Sequence, residues 1–146
     1  MNFRDNYATT CAVVAEGTNA TTFKTSQATS FSIAGLGYYK AATDNLPFTA
    51  GHTSLAVSQK CAFFVCLDTA GAVTTIQGDI VTPSPSGSVL RAAEIPNPTD
   101  RVVIGAIVVT TSAAATFVPN TTDLSAAGVT GTYYNFVGDY AATLPL

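Results

Sequence analysis

The chain has 146 residues, a length that fits one domain able to bury a core without disulfides or metals. Hydrophobic residues make up 47% of it and charged residues only 10%, which excludes a densely charged surface and leads us to expect that a partner covers part of the protein. The six basic and nine acidic residues are scattered, with no run that could neutralise a row of phosphates, so we expect no nucleic acid partner.

The first residues of the sequence lack the basic-then-apolar order of a secretory signal. No stretch approaches the ~20 apolar residues that are needed to span a bilayer. We therefore expect a soluble protein that is made in the cytoplasm and has no membrane partner.

Residues 1–27 are polar and threonine-rich around one apolar patch at 10–15, with no helical period and no helix cap. This pattern predicts an extended N-terminal arm outside the core, followed by a domain over 28–146. Such an arm could add a strand to the edge of a neighbouring sheet, with Val13 or Val14 filling a pocket. The predicted fold class is all-β, with a single β-sandwich or barrel-like domain.

Residues 29–33 alternate apolar and polar side chains, which predicts a half-buried strand. The continuous apolar run at 60–67 predicts a strand buried on both faces, in which Cys61 and Cys66 point in opposite directions. Turn-forming residues at 68–71 and strand-like composition at 72–77 then predict a hairpin.

Two prolines predict a loop at 82–88, and a serine cap predicts a short helix at 88–94. Residues 101–111 predict a second fully apolar strand, with Gly105 marking a bulge or a close backbone approach. A last strand is predicted at 132–137. The predicted core lies in the two apolar runs and comprises Phe63, Val65, Leu67, Val103, Ile104 and Ile107.

Residues that carry chemistry are few. His52 is the one histidine, which excludes a multi-histidine metal site, and the aspartates lie in apparent turns where they bond the backbone. The three cysteines match no zinc or redox spacing and are interpreted as small buried hydrophobes. We therefore expect no enzyme activity, no catalytic residues, no metal, no cofactor and no small-molecule substrate.

Two tyrosine pairs are candidates for an interface, although core packing is an equal alternative for each ring. Adjacent strand residues face opposite ways, so one ring of Tyr38 and Tyr39, and one of Tyr133 and Tyr134, should turn outward. Exposed tyrosines can anchor a protein interface or stack on a sugar.

The second half of the chain resembles a known family. Residues 94–109 form a proline-bracketed turn that leads into an apolar strand with a central glycine, and 116–130 with Tyr133, Tyr134 and Asn135 continue the pattern. This run is similar to small capsid decoration, cement or head-fibre proteins of tailed phages, and the similarity covers about 35–136. It implies a non-enzymatic virion protein on the capsid surface, made in the host cytoplasm, that binds the major capsid protein.

The same resemblance implies a homotrimer, because phage capsids offer threefold sites and the low charge leaves apolar surface to cover. A phage tail or head fibre segment and a glycan- or receptor-binding module are alternatives that the sequence leaves open. The absence of tryptophan and of a clustered calcium site, both common means of holding sugars, argues against the glycan- or receptor-binding module.

Overall fold

The computed structural model describes residues 6–82, 93–140 and 143–144. Within these ranges every regular element is a β-strand, so the all-β prediction is confirmed. The strands, in chain order, are β1 (Tyr7–Ala8), β2 (Val14–Glu16), β3 (Phe23–Thr25), β4 (Thr29–Ile33), β5 (Leu36–Lys40), β6 (Thr43–Leu46), β7 (Lys60–Asp68), β8 (Val73–Gln77), β9 (Ala93–Glu94), β10 (Arg101–Thr111), β11 (Val129–Asn135) and β12 (Thr143–Leu144).

A four-stranded antiparallel sheet in the order β11-β10-β7-β8 forms the centre of the fold. Two three-stranded sheets, β1-β4-β5 and β2-β3-β6, and the short pair β12-β9 surround it. The hairpin between β7 and β8 is the one that the sequence predicts. Asp68 Oδ1 accepts hydrogen bonds from the N–H groups of Ala70 and Ala72, and Gly71 has a φ of 75°.

The central sheet is buried on both faces, as its continuous apolar strands predict. One face belongs to a core cluster that also takes in residues of β1 to β4, and the other packs in a second cluster with residues of β9 and β12. Cys61 lies in the first cluster and Cys66 in the second, which confirms their opposite directions. All six predicted core residues are buried: Phe63, Val65, Leu67, Val103, Ile104 and Ile107.

A bulge in β10 confirms the role predicted for Gly105. Val103 pairs with Cys66 while Gly105 pairs with Val65, so Ile104 is an extra residue in β10. The extra residue reverses the alternation of side chains, which places both Ile104 and Ile107 in the first core cluster. The same glycine also makes a close approach, since a Cβ added to it would lie 2.6 Å from the carbonyl oxygen of Tyr134.

The prediction of an N-terminal arm outside the core is wrong for residues 7–25. This segment forms β1, β2 and β3, and Ala8, Ala12, Val14 and Phe23 are buried in the first core cluster. Single apolar residues separated by threonine, serine and asparagine are enough here, because each short strand presents only one or two side chains to the core. The segment belongs to the folded domain.

The finer prediction of a single sandwich or barrel is not confirmed, since apolar clusters lie on both faces of the central sheet. The loop predicted at 82–88 and the helix predicted at 88–94 lie almost entirely outside the described residues. Their described members are Thr82, which follows an isolated bridge at Val81, and β9. Among the described residues, no helix is both long and apolar enough to cross a membrane.

Candidate interaction surface

The sheet β1-β4-β5 has one face in the core and one face in solvent. In β4 the residues Thr29, Phe31 and Ile33 are buried and the two serines between them are half-buried. Tyr38 of β5 lies opposite Phe31, and the two rings stack with centroids 5.6 Å apart. This packing holds the sheet against the core, so the side chains on its outer face are held in fixed positions.

The outer face carries two exposed tyrosines. Tyr7 pairs with Ser32, which pairs with Gly37, and Ser30 pairs with Tyr39. Alternation therefore places the four side chains on one side of the sheet, around the bare Cα of Gly37. Tyr39 is 67% exposed and Tyr7 is 37% exposed. We call this surface, formed by Tyr7, Ser30, Ser32, Gly37 and Tyr39, the tyrosine face.

The tyrosine face contains no ionisable group apart from the phenols. Tyrosine provides a large contact area at low entropic cost, while serine and glycine adapt their hydrogen bonding and let a partner approach closely. A neutral surface of this kind binds through short-range contacts rather than through long-range electrostatic attraction. It is suited to a protein or a sugar.

A buried asparagine joins this sheet to the proline-bracketed turn before β10. The Asn6 amide nitrogen lies 2.9 to 3.1 Å from the carbonyl oxygens of Pro98, Thr99 and Arg101. Its Oδ1 accepts a hydrogen bond of 3.1 Å from the N–H of Ala34, in the turn between β4 and β5. Asn6 is 4% exposed, so these bonds are shielded from water and hold the two turns together.

A cavity of about 460 Å³ lies beside this asparagine. Its lining is formed by the two turns and comprises Asn6, Ala34, Gly35, Asn97, Pro98 and Thr99. Among the described residues, the lining contains one hydroxyl, that of Thr99, and no histidine, cysteine, lysine or carboxylate. The Asn6 side chain is already hydrogen-bonded through both its amide nitrogen and its oxygen, so the remaining polar side chains of this lining are those of Asn97 and Thr99.

The two valine candidates do not lie on a free surface. Val14 is 2% exposed and packs against Gly105, while its N–H donates a 2.7 Å hydrogen bond to Asn135 Oδ1. Val13 is half-buried and has a φ of 51°, an unusual value for a β-branched residue. The left-handed turn at Val13 directs the next residue into the core, so both valines serve the fold.

The tyrosine pairs behave differently from each other. Tyr38 turns inward and Tyr39 outward, as alternation predicts. Tyr133 and Tyr134 also point to opposite faces, but both faces are covered, and each ring packs against one of the two core clusters. Burial, followed by the nearby Glu16 carboxylate, raises the pKa of Tyr133 to about 12. Only Tyr39 of the four is exposed as an anchor.

Sequence reasoning missed Tyr7 and Leu36, which is 63% exposed at the start of β5. Tyr7 is not among the predicted interface residues because it lies in residues 1–27, which the sequence pattern predicts to be an arm. The exposure of Leu36 could have been predicted from Gly35 and Gly37 on either side of it. Because these glycines have no side chains, nothing beside the leucine in the hairpin shields it from solvent.

His52 takes part in packing and hydrogen bonding. Its Nε2 lies 2.7 Å from Thr75 Oγ1 and its ring contacts Phe63, with centroids 5.4 Å apart. Burial lowers the pKa of His52 below its ordinary value of 6.5. In the described part of the chain no three histidine, cysteine, aspartate or glutamate side chains gather where they could hold a metal ion.

Comparisons with protein-family models, with curated proteins and with solved structures found no match to this chain.

Proposed function

We propose that the chain is a non-enzymatic virion structural protein, a capsid cement or decoration protein that binds the major capsid protein of a phage head through its tyrosine face. The observation that carries the proposal is the pairing of two exposed tyrosines with serine and glycine on the solvent side of a sheet. The stacked Phe31 and Tyr38 rings hold that sheet against the core, so the face is presented already ordered.

Two further features support this role. Only 10% of the residues are charged, which fits a protein whose surface is partly covered by other subunits of an assembly. The run at 94–109, on which the resemblance to phage decoration proteins rests, includes the carbonyl groups that bind Asn6. That run therefore helps to position the hairpin that carries Tyr39.

Co-sedimentation with purified tail-less phage heads tests the proposal. We expect the wild-type chain to sediment with the heads and Tyr39→Ser to lose most of that binding. Val57→Ser is the matched control, because Val57 is also an exposed apolar residue but lies away from the tyrosine face. Failure of the wild-type chain to bind heads would contradict the capsid role.

A fibre segment and a glycan- or receptor-binding module remain the second candidate functions. The observation that favours glycan binding is the 67% exposed ring of Tyr39 beside serine hydroxyls, since sugars stack on aromatic rings. Binding of the wild-type chain to an array of glycans, lost in Tyr39→Ser, with no binding to tail-less heads, would favour this alternative.

A further inference from the structure

The outer edge of β5 lies next to the tyrosine face. β5 is the outermost strand of its sheet, and its pairing with β4 begins at Ile33 and Leu36, across the two-residue turn. Bonded and non-bonded pairs alternate in an antiparallel ladder, so the backbone groups of Tyr38 face β4. Those of Gly37 and Tyr39 face outward, and no hydrogen bond to them is found among the described residues.

Two other outer strands of the described sheets, β8 and β6, are protected. Along β8 the N–H of Thr75 donates to Thr49 Oγ1, and Gln77 bonds both the N–H and the carbonyl of Thr53, so a loop covers that edge. In β6 an extra residue interrupts the ladder, where Asp44 is exposed and Asn45 has a φ of 54°. Charges, bulges and covering loops are the usual means of blocking edge-to-edge pairing. β5 has a regular ladder and carries one charged residue, Lys40, at its end.

The sequence of β5 is complementary to itself when two copies run antiparallel about Tyr38. In that register Gly37 of one copy lies opposite Tyr39 of the other, and both residues have outward backbone groups that can form four hydrogen bonds. The tyrosine ring would cover the space above the glycine, a known stabilising pair in sheets. Leu36 would lie opposite Lys40, whose aliphatic stem can cover the exposed leucine.

We propose that a second copy of this chain occupies the β5 edge, forming a twofold dimer with a continuous six-stranded sheet. The dimer accounts for two otherwise unexplained features: the outer edge of β5, to which no described residue bonds, and the exposed Leu36. It brings two tyrosine faces onto one side of a single sheet, which doubles the surface available to a partner. The inference does not depend on the capsid role, and it favours a twofold over the threefold contact expected from the resemblance.

A pair of matched variants at Leu36 tests the register without phage heads. Leu36→Lys would place like charges directly opposite one another at both ends of the interface, whereas Leu36→Glu would place opposite charges there. By light scattering and sedimentation equilibrium we expect a wild-type dimer, a dissociation constant about tenfold higher for Leu36→Lys, and no such increase for Leu36→Glu. Both substitutions are at an exposed position, so neither should alter folding.

Cross-linking tests the same register directly. On a Cys11→Ser background, chains with Gly37→Cys and chains with Tyr39→Cys should form a disulfide when mixed and oxidised. Neither variant alone should form it, because the bonded pair joins position 37 to position 39 at a Cα separation of about 5.5 Å. A monomeric wild-type chain, equal behaviour of the two Leu36 variants, or absence of the mixed disulfide would each overturn the proposal. Binding of a different extended strand to a monomer would overturn it as well.

Discussion

Val14 packs onto the backbone of Gly105, so closely that a Cβ added to this glycine would lie 2.8 Å from the Cγ2 atom of the valine. The contact joins a strand near the start of the chain to the bulge in the middle of β10. Tyr134 closes the other side, with its carbonyl oxygen 2.6 Å from the same position. No side chain fits between these neighbours unless backbone moves.

Gly105→Ala should therefore lower the free energy of unfolding by about 1–3 kcal/mol, the usual cost of overpacking a core. Urea denaturation followed by circular dichroism measures the change. Gly37→Ala is the control, because a Cβ there has no neighbour within 4 Å. An equal effect at the two positions would show that the contact with Val14 is not tight.

Phe23→Ala should destabilise the protein by about 3–5 kcal/mol, as much as the same change at Phe63. Phe23 is fully buried and meets Phe48 edge-on, with centroids 5.3 Å apart, although it lies in the segment that the sequence assigned to an arm. Deletion of residues 2–27 should then abolish folding. If the truncated chain folds, the segment is an arm after all. The control for Phe23→Ala is Tyr39→Ala, which also removes an aromatic ring but at an exposed position.

Ala34→Asn should stabilise the protein by up to about 1 kcal/mol. Ala34 and Gly35 form the turn between β4 and β5 with φ values of 51° and 80°, and an L-residue other than asparagine, aspartate or glycine is strained there. Thermal unfolding compares the variant with the wild type. A lower melting temperature would mean that the new side chain disturbs the bond from the Ala34 N–H to Asn6.

Acidification should weaken the fold through His52. Because burial lowers the pKa of His52 below 6.5, the unfolded chain binds a proton more readily than the folded one. The free energy of unfolding should therefore fall as the pH drops below about 6.5, and become level again below the pKa of the folded state. Urea denaturation between pH 7.5 and pH 5, in steps of about half a unit, measures the slope.

His52→Gln should remove that part of the pH dependence. Asp44 affects stability at a lower pH than His52, because hydrogen bonds from Thr18 hold the pKa of Asp44 below the ordinary 3.8. The stability that Asp44 contributes is lost as the pH falls through that lowered pKa. A slope near pH 6 that persists in His52→Gln would assign the effect to another group.

One cysteine of the three should react with a thiol reagent in the native protein. Burial raises the pKa of Cys61 to about 11 and that of Cys66 to about 12, so neither is a thiolate near neutral pH. Cys11 is half-buried, and none of the three forms a disulfide. Mass spectrometry should find single labelling in buffer and triple labelling in denaturant; rapid labelling of Cys66 in the folded chain would contradict the structure.

The centre of the fold is predictable because its strands are long and apolar. Residues 60–67 and 101–109 each bury both faces, so no choice of register changes which residues are inside. Gly105 is predictable for a related reason, since a glycine within an apolar strand has few uses other than a bulge or a close contact.

The N-terminal strands were not predictable because two or three residues carry no period. Ala8, Val14 and Phe23 are buried through partners far away in the sequence, such as Ser32 opposite Tyr7 and Asn135 beside Val14. The turn at Ala34 was missed since alanine rarely takes positive φ, and here Asn6 bonds its N–H. For the candidate surface, alternation correctly distinguishes Tyr38 from Tyr39, but it cannot show that a second apolar layer covers Tyr134.

The hydrogen bonds of Asn6 also affect how the chain matures as it is synthesised. Its carbonyl partners lie 92 to 95 residues further along, so a ribosome adding about 5–20 residues per second delivers them roughly 5–20 s after Asn6 itself. Until then β1 can pair with β4, but Asn6 cannot yet join the turn between β4 and β5 to the turn before β10. The hairpins at 29–40 and 60–77 can close early, whereas the strands from the two ends of the chain must wait for each other, which makes completion of this fold a late step in its synthesis.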